Sequence, residues 1–201
     1  KNRKDEFILL IITFIITLTI GIKEGILSGV VLSLLMMVYK SSTPHIAVIG
    51  RISNTDYYKN ILRFKEVIVD RKDILGIRID AQLFFGNTAI FKKELYKNIA
   101  LKGSALKLVI LNTETVSYID SSGTDVLIKI IEDLKSKNIK IMFSGSRGPT
   151  RDTLYHSGVI DILGEENLFL RSHEAEDSFD GKQHKTAISK QIAVQTQNST
   201  L

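Results

Sequence analysis

Two stretches near the N-terminus carry no charge. From Phe7 to Ile22, FILLIITFIITLTIGI has only Thr13, Thr17 and Thr19 as polar side chains; beyond Lys23 and Glu24, GILSGVVLSLLMMVY (25–39) is again uncharged. A helix built from either run is apolar on every side, a pattern that belongs in lipid or deep inside a large protein. The remaining chain is too small to bury such a pair. At ~1.5 Å per residue each run reaches roughly 22–25 Å, short of a ~30 Å hydrocarbon core. The pattern therefore predicts a hairpin of two short membrane helices, about 7–22 and 25–40, broken at Lys23–Glu24. Gly25, Gly29 and Ser33 recur at i, i+4, i+8, a small-residue stripe suited to close helix packing in lipid; a helix-starting glycine and chance spacing would give the same letters. Lys1, Arg3 and Lys4 precede the hairpin and Lys40 and Arg51 follow it. This basic excess assigns both flanks to the cytoplasmic side. The doubled run without a cleavage pattern excludes a signal peptide.

From Ile46 the pattern changes to short apolar runs alternating with amphipathic ones. IAVIGRI (46–52) and EVIVD (66–70) predict two strands joined by a polar, aromatic connector. Leu75, Ile77, Ile79, Ala81, Leu83 and Phe85 alternate with wetter residues at period two, predicting a strand with one buried face. Asn87 can cap a helix to about Ala100 with Ile90, Phe91, Leu95 and Ile99 inward. LKLVIL (106–111) suits a central strand covered on both faces. The run after Tyr118 predicts a helix burying Val126, Leu127, Ile130, Ile131 and Leu134, and IKIMF (139–143) a further strand. Pro149 opens a helix ended by Gly158; a short segment at 161–163 and a helix near Ser172–Phe179 follow. Strand–helix alternation after an initial strand pair predicts an α/β domain on a mixed, largely parallel sheet. The expected organisation is a hairpin (1–42), an α/β domain (43–180) and a disordered tail (181–201) that is polar and lacks acids.

Composition narrows the chemistry. Of 201 residues 44% are apolar, and cysteine is absent, which removes disulfides, thiolate nucleophiles and cysteine metal sites. The formal charge of +5 comes from dispersed Lys and Arg without an aromatic-basic stripe, so no nucleic-acid partner is expected. His45, His156, His173 and His184 lie far apart without ligand spacing, and no metal or other cofactor is expected. The chain starts at Lys1, and is expected to begin inside a longer polypeptide.

The segment SYIDSSGTDVLIKI (117–130) holds the most informative polar cluster. No GxSxG surrounds Ser121 or Ser122, so a hydrolase nucleophile is disfavoured, and no catalytic residue is assigned. Asp120 and Ser121 can accept hydrogen bonds from the free N–H groups of the following helix, and Gly123 permits a tight turn. A phosphate on Ser121 would meet the positive end of that helix.

VVLSLLMMVYKSSTPHIAVIGRI, then TDYYKNI and LGIRIDAQLFFGNTAIFKKEL, closely resemble the junction in SulP-type sulfate permeases where the last membrane helices enter a cytoplasmic STAS domain. YIDSSGTDVL resembles the signature of that domain. The resemblance implies a secondary active anion transporter, not an enzyme, of which this is the C-terminal part. It implies that the last two helices of the membrane unit stand at 7–40, that the domain regulates or assembles the transporter, and that the substrate-binding residues lie upstream. Implied partners are the lipid bilayer of the cell (inner) membrane, the chain's own upstream transmembrane domain, a second copy in a homodimer, and a regulatory protein at the STAS surface. The loop Asp120, Ser121, Ser122, Gly123 becomes the signature loop, and the phosphorylation position of soluble anti-sigma-factor antagonists falls on Ser121. The alternative is a regulatory binding module of that antagonist kind.

Overall fold

A computed structural model of the chain describes residues 3–69 and 71–182. The tail expected beyond Gly181 lies almost entirely outside the described residues. The chain divides into two compact units, Lys1–Thr43 and Pro44–Leu201.

The first unit is a pair of helices, α1 (Arg3–Thr19) and α2 (Ile22–Ser42). They run antiparallel: a Cβ on Gly25 would lie 2.9 Å from the Thr17 Cα, and one on Gly29 would lie 3.1 Å from the Thr13 Cγ2. Gly25 is the one fully buried residue of α2. Ser33, expected to extend this stripe, is exposed, and Ser28 and Leu32 are half-buried in its place. The reason is rotational: at ~3.6 residues per turn, each i+4 step drifts about 40°, so the second step leaves the contact line. The break falls at Ile20–Gly21, not Lys23–Glu24; Gly21 has φ 150°, which glycine adopts freely. The helix of α2 accordingly takes in Lys23 and Glu24 and covers 21 residues, ~31 Å at ~1.5 Å per residue, longer than the sequence pattern suggested. Among the described residues it is the one helix long and apolar enough to cross a membrane, with mean hydropathy 1.6. The hydroxyls of Thr17 and Thr19 donate back to Thr13 O and Ile15 O, both at 2.8 Å, so they are satisfied within their own helix. The flanks of both helices are bare: Phe7, Phe14, Leu18, Leu27, Leu34 and Met37 are all exposed.

The second unit is the expected α/β fold. Its six-stranded sheet has the order β2-β1-β3-β4-β5-β6, comprising β1 (Ile46–Arg51), β2 (Tyr58–Asn60), β3 (Ile74–Ile79), β4 (Leu108–Asn112), β5 (Lys140–Ser144) and β6 (Leu168–Phe169). β1 is antiparallel to both neighbours, and β3 to β6 are mutually parallel. The period-two rule is visible in the core. Leu75, Ile77, Val109, Leu111, Ile141 and Phe143 point to one face, packed with α3 (Thr88–Lys102), α4 (Ser121–Ser136), α5 (Gly148–His156) and α6 (Val159–Leu163). Ile74, Leu108, Ile110 and Met142 point to the other, covered by Ala175 and Phe179 of α7 (Ser172–Phe179). Gly76 sits opposite Ile49 in the β1–β3 ladder, where a Cβ would come within 2.5 Å of the Ile49 carbonyl oxygen.

Several local expectations fail for identifiable reasons. Residues 66–69 do not form a strand: Ile68 makes one isolated bridge to Ile52, flanked by Ser53 N donating to Val67 O at 2.9 Å and Val69 N donating to Arg51 O at 3.1 Å, and the strand beside β1 is β2, hidden in the polar connector. The alternation over 75–85 stops as a strand at Ile79; Leu83 makes one isolated bridge to Ile119, and Phe85 is 75% exposed rather than inward. Ile90 is exposed too, one residue and ~100° around the helix from the buried Phe91. β6, two residues long, carries no periodic signal. Residues 161–163 complete α6.

Candidate functional site

The connection from β4 to α4, residues 113–120, is pinned along its length. Thr113 Oγ1 donates to Ser144 O at 3.2 Å or shares a proton with Ser146 Oγ at 2.7 Å, and Thr115 Oγ1 donates to Ile79 O at 2.5 Å. Thr150 Oγ1 on α5 donates to Val116 O at 2.6 Å. Leu83 N donates to Tyr118 O at 3.0 Å, and Asp120 N donates to Leu83 O at 3.1 Å, so the loop ends as a strand-like partner of residues 82–84. The loop is held rigid by the hydroxyls of Thr113 and Thr150, which are buried and would otherwise be unmet donors.

This frame sets the start of α4. Asp120 is the N-cap, with extended backbone (φ −89°, ψ 179°), and its Oδ1 accepts from Gly123 N at 2.7 Å. Its other oxygen, Oδ2, accepts from Phe85 N at 2.9 Å. One carboxylate thus closes the helix end and fastens the 80–87 segment to it. Thr124 is buried and its Oγ1 donates to Ser121 O at 2.9 Å. Gly123 is buried against the same segment: a Cβ there would stand 2.8 Å from Leu83 O and 2.7 Å from Ile119 Cγ2. The sequence required a small residue here for approach, not for a turn.

Of the two residues expected to accept from the helix end, the capping hydrogen bond belongs to Asp120 and not to Ser121. Ser121 occupies the first helical position with its side chain exposed, and Ser122 is half-buried beside it. The backbone N–H groups of the first turn and the helix dipole make that position favourable for negative charge. The adjoining segments carry exposed aromatic side chains: Phe85, in edge-to-face contact with Phe84 at a 5.5 Å centroid distance, and Tyr118 are both more than half exposed. The sequence reading missed this exposure by assigning Phe85 to a buried strand face. The arrangement presents an exposed serine on a fixed helix end, with Phe85 and Tyr118 exposed on the two segments that meet there. Among the described residues no histidine or carboxylate bonds to Ser121 or Ser122, and no group of three or more His, Asp or Glu is placed to hold a metal.

The other sequence-marked residues lie elsewhere. Gly25 and Gly29 form the contact line of the helix pair described above. His45 Nδ1 lies 2.9 Å from Asp80 Oδ2, and the same carboxylate accepts from Arg78 Nε at 2.6 Å, tying the entry of β1 to the exit of β3. Sequence reasoning also missed an ion network at the far edge. Arg51 donates to Asp177 at 2.7 Å, Arg71 pairs with Asp73 and Asp180, both at 2.6 Å, and the Tyr58 hydroxyl donates to Glu176. Hydrogen bonds from Arg71 hold the Asp73 carboxyl below the usual carboxylate range. Burial and the bond to Glu176 push the Tyr58 phenol far upward. These charges join segments over a hundred residues apart, which no local pattern can reveal.

Comparison with known proteins gives the arrangement a setting. Over 152 residues, 71% of this chain, it is 34% identical to Sulfate transporter 4.1, chloroplastic, of Arabidopsis thaliana. Over 154 residues it is 21% identical to High affinity sulfate transporter 2 of Stylosanthes hamata. The matched parts make up 22% and 23% of those proteins, so the chain spans under a quarter of each. The structure of the murine Slc26a9 anion transporter in the inward-facing state overlays with a TM-score of 0.77 at 19% identity, covering 86% of this chain and 28% of that one. That share exceeds what residues 44–201 alone supply, so the likeness of fold extends into the helix pair. The sequence profile described as STAS domain matches residues 66–175, from the Ile68 bridge through the Asp120 cap to Ala175 under the sheet. With more than half of its length matched in this way, the chain belongs to the STAS domain family.

Proposed function

We propose that the chain is the C-terminal part of a secondary active anion transporter carrying sulfate, with residues 7–40 as its terminal membrane hairpin and residues 43–180 as a cytoplasmic STAS domain. The observation that carries this is the continuity of the two units. A helix pair that is apolar on all sides leads through three residues, Thr43–His45, into a STAS fold whose relatives are sulfate transporters. A free antagonist-type module has no use for such a pair. The anion path itself belongs to an upstream membrane domain, and the STAS domain acts on assembly or turnover rather than on the choice of anion. Gly25 and Gly29 set the close approach of the hairpin, and the protein sits in the cell (inner) membrane as a homodimer.

Within this reading Ser121 is the regulatory position. It is exposed at a helix end suited to a phosphate, and the exposed Phe85 and Tyr118 offer apolar area to a regulatory protein. The test is uptake of labelled sulfate by cells expressing the complete polypeptide, compared with one truncated after Tyr39. Saturable uptake, lowered in amount or rate by truncation, is expected. Correctly inserted complete protein that transports no tested anion would overturn the proposal.

A further inference from the structure

The link from α2 to β1 is Thr43–His45, so in any arrangement of the two units His45 stays within ~11 Å of Ser42, the reach of an extended chain of that length. His45 also lines an open concavity of about 510 Å³, together with Lys59 of β2, Arg63 just beyond it, Arg78 of β3 and Asp80. Cations outnumber acids there. Among the described residues Asp80 is the single lining carboxylate, and it is taken by Arg78 at 2.6 and 2.9 Å and by His45 at 2.9 Å. Lys59, Arg63 and the nearby Lys65 have no carboxylate within ion-pair distance among the described residues. Lys40 in the last turn of α2 adds charge to the same stretch of chain, and no acid occurs from Lys40 to Thr55.

The turn after β2 gives these cations apolar neighbours. Ile61 N donates to Val48 O at 3.0 Å, while Asn60 accepts from Leu62 N through Oδ1 at 2.8 Å and from Arg63 N through its carbonyl at 3.1 Å, which fixes the turn to the sheet edge. Leu62 is 77% exposed and Phe64 43%, one on each side of Arg63 in the sequence, and Lys65 follows, also exposed. A turn shaped only by solubility would be polar at such positions. Large apolar side chains interleaved with cations suit an anionic bilayer surface, where the apolar groups enter the headgroup zone and the cations pair with phosphates. Glu66, exposed beyond Lys65, is the opposing charge next in sequence.

We infer that this concavity and the 61–65 turn dock onto the phosphate-bearing headgroups of anionic lipid in the leaflet where α2 ends. The inference rests on the proposed membrane hairpin, because the short Thr43–His45 link is what keeps the cations near that surface. Its ~11 Å reach is comparable to the ~8 Å Debye length at physiological ionic strength, so the potential of an anionic leaflet acts on these side chains with little screening. Lipid fits better than a soluble anion because the cations stand beside exposed Leu62 and Phe64 on an open surface. Docking adds a second anchor to the covalent one, and makes the orientation of the domain depend on lipid charge.

The chain contains no tryptophan, so Phe64→Trp places a single indole in the turn. The test is the emission of the 201-residue chain carrying it, in nanodiscs of phosphatidylcholine alone and of equal parts phosphatidylcholine and phosphatidylglycerol. In the anionic discs emission should shift to shorter wavelength and be quenched by brominated acyl chains, and both effects should fade as salt rises. Neither should occur in the zwitterionic discs, even with soluble glycerol phosphate added, which separates a bilayer headgroup from a free phosphate. Arg63→Gln/Lys65→Gln should abolish the shift, and Lys129→Gln on the exposed side of α4 should leave it unchanged. In the unsubstituted chain, amide exchange over residues 61–65 should slow about fivefold or more in the anionic discs, the factor one engaged cation supplies. A disc-bound chain with the same emission and exchange in both lipids overturns the inference and leaves the hairpin standing, as does a shift produced by glycerol phosphate or an equal loss on Lys129→Gln. A chain that does not enter the discs overturns both.

Discussion

Replacing Asp120 by alanine should destabilise the STAS domain by about 2 kcal/mol, more than any change at Ser121. The carboxylate makes two bonds to backbone N–H groups, to Gly123 at 2.7 Å and Phe85 at 2.9 Å. The first is a helix cap, worth ~1 kcal/mol. The second is a charge-assisted bond of ~1.5–3 kcal/mol where desolvated, reduced here because Asp120 is only half-buried and water can reach the freed Phe85 N–H. Asp120→Asn keeps a capping oxygen and should recover about half of the loss. Ser121→Ala removes an exposed hydroxyl at the first helical position and should stay within ~0.5 kcal/mol. Ser121→Asp adds a negative charge beside the helix N-terminus and should be neutral to mildly stabilising, by about 0.3–1 kcal/mol. The assay is urea unfolding of residues 44–182 followed by circular dichroism, with unchanged slope across the variants so that midpoint shifts report stability. A larger loss for Ser121→Ala than for Asp120→Ala would refute the assignment of the cap.

Other expectations follow from the same geometry. Gly123→Ala should cost about 1–3 kcal/mol, the scale of core overpacking, because its Cβ would meet the backbone oxygen of Leu83 at 2.8 Å; unfolding midpoints check it. Phe143→Ala, in the core of the helix-rich sheet face and fully buried, should cost about 3–5 kcal/mol in the same assay. Gly25→Leu should disrupt the close helix pair, since a Cβ alone would stand 2.9 Å from the Thr17 Cα, and a cysteine cross-link placed between residues 13 and 29 should then form more slowly. The Asp73 carboxyl is held low by Arg71, so its contribution to stability is complete above pH ~4 and is lost as pH falls through its folded value. Acid titration of Asp73→Asn should lack that part of the acid loss, and an identical acid limb in both proteins would contradict it.

The fold was legible where periodicity was long. β4 and β5, with their near-continuous apolar runs, and α4, with Leu127, Ile130, Ile131 and Leu134 on one side, announced themselves, as did the apolar helix pair. The edge of the sheet was not legible. Val67 and Val69 carry strand-like letters but pair with the far end of β1 only around the single Ile52–Ile68 bridge, while Tyr58–Asn60 pairs with β1 from inside a polar stretch. Pairing is a long-range property, and a three-residue strand leaves no trace of it. At the serine loop, residue types showed that a cap would exist, but only backbone geometry could decide between neighbours: Asp120 is extended and so faces the free N–H groups, whereas Ser121 is already helical.

On the function proposed above, an apolar helix hairpin holds the STAS domain at the cytoplasmic face. The most direct test is carbonate extraction of membranes from cells expressing the complete protein, combined with protease access from each side. Retention in the membrane, with cleavage of residues 44–182 only when the cytoplasmic face is exposed, is the predicted result. Release of the protein into the carbonate wash, or digestion of the domain from the outer face alone, would contradict it.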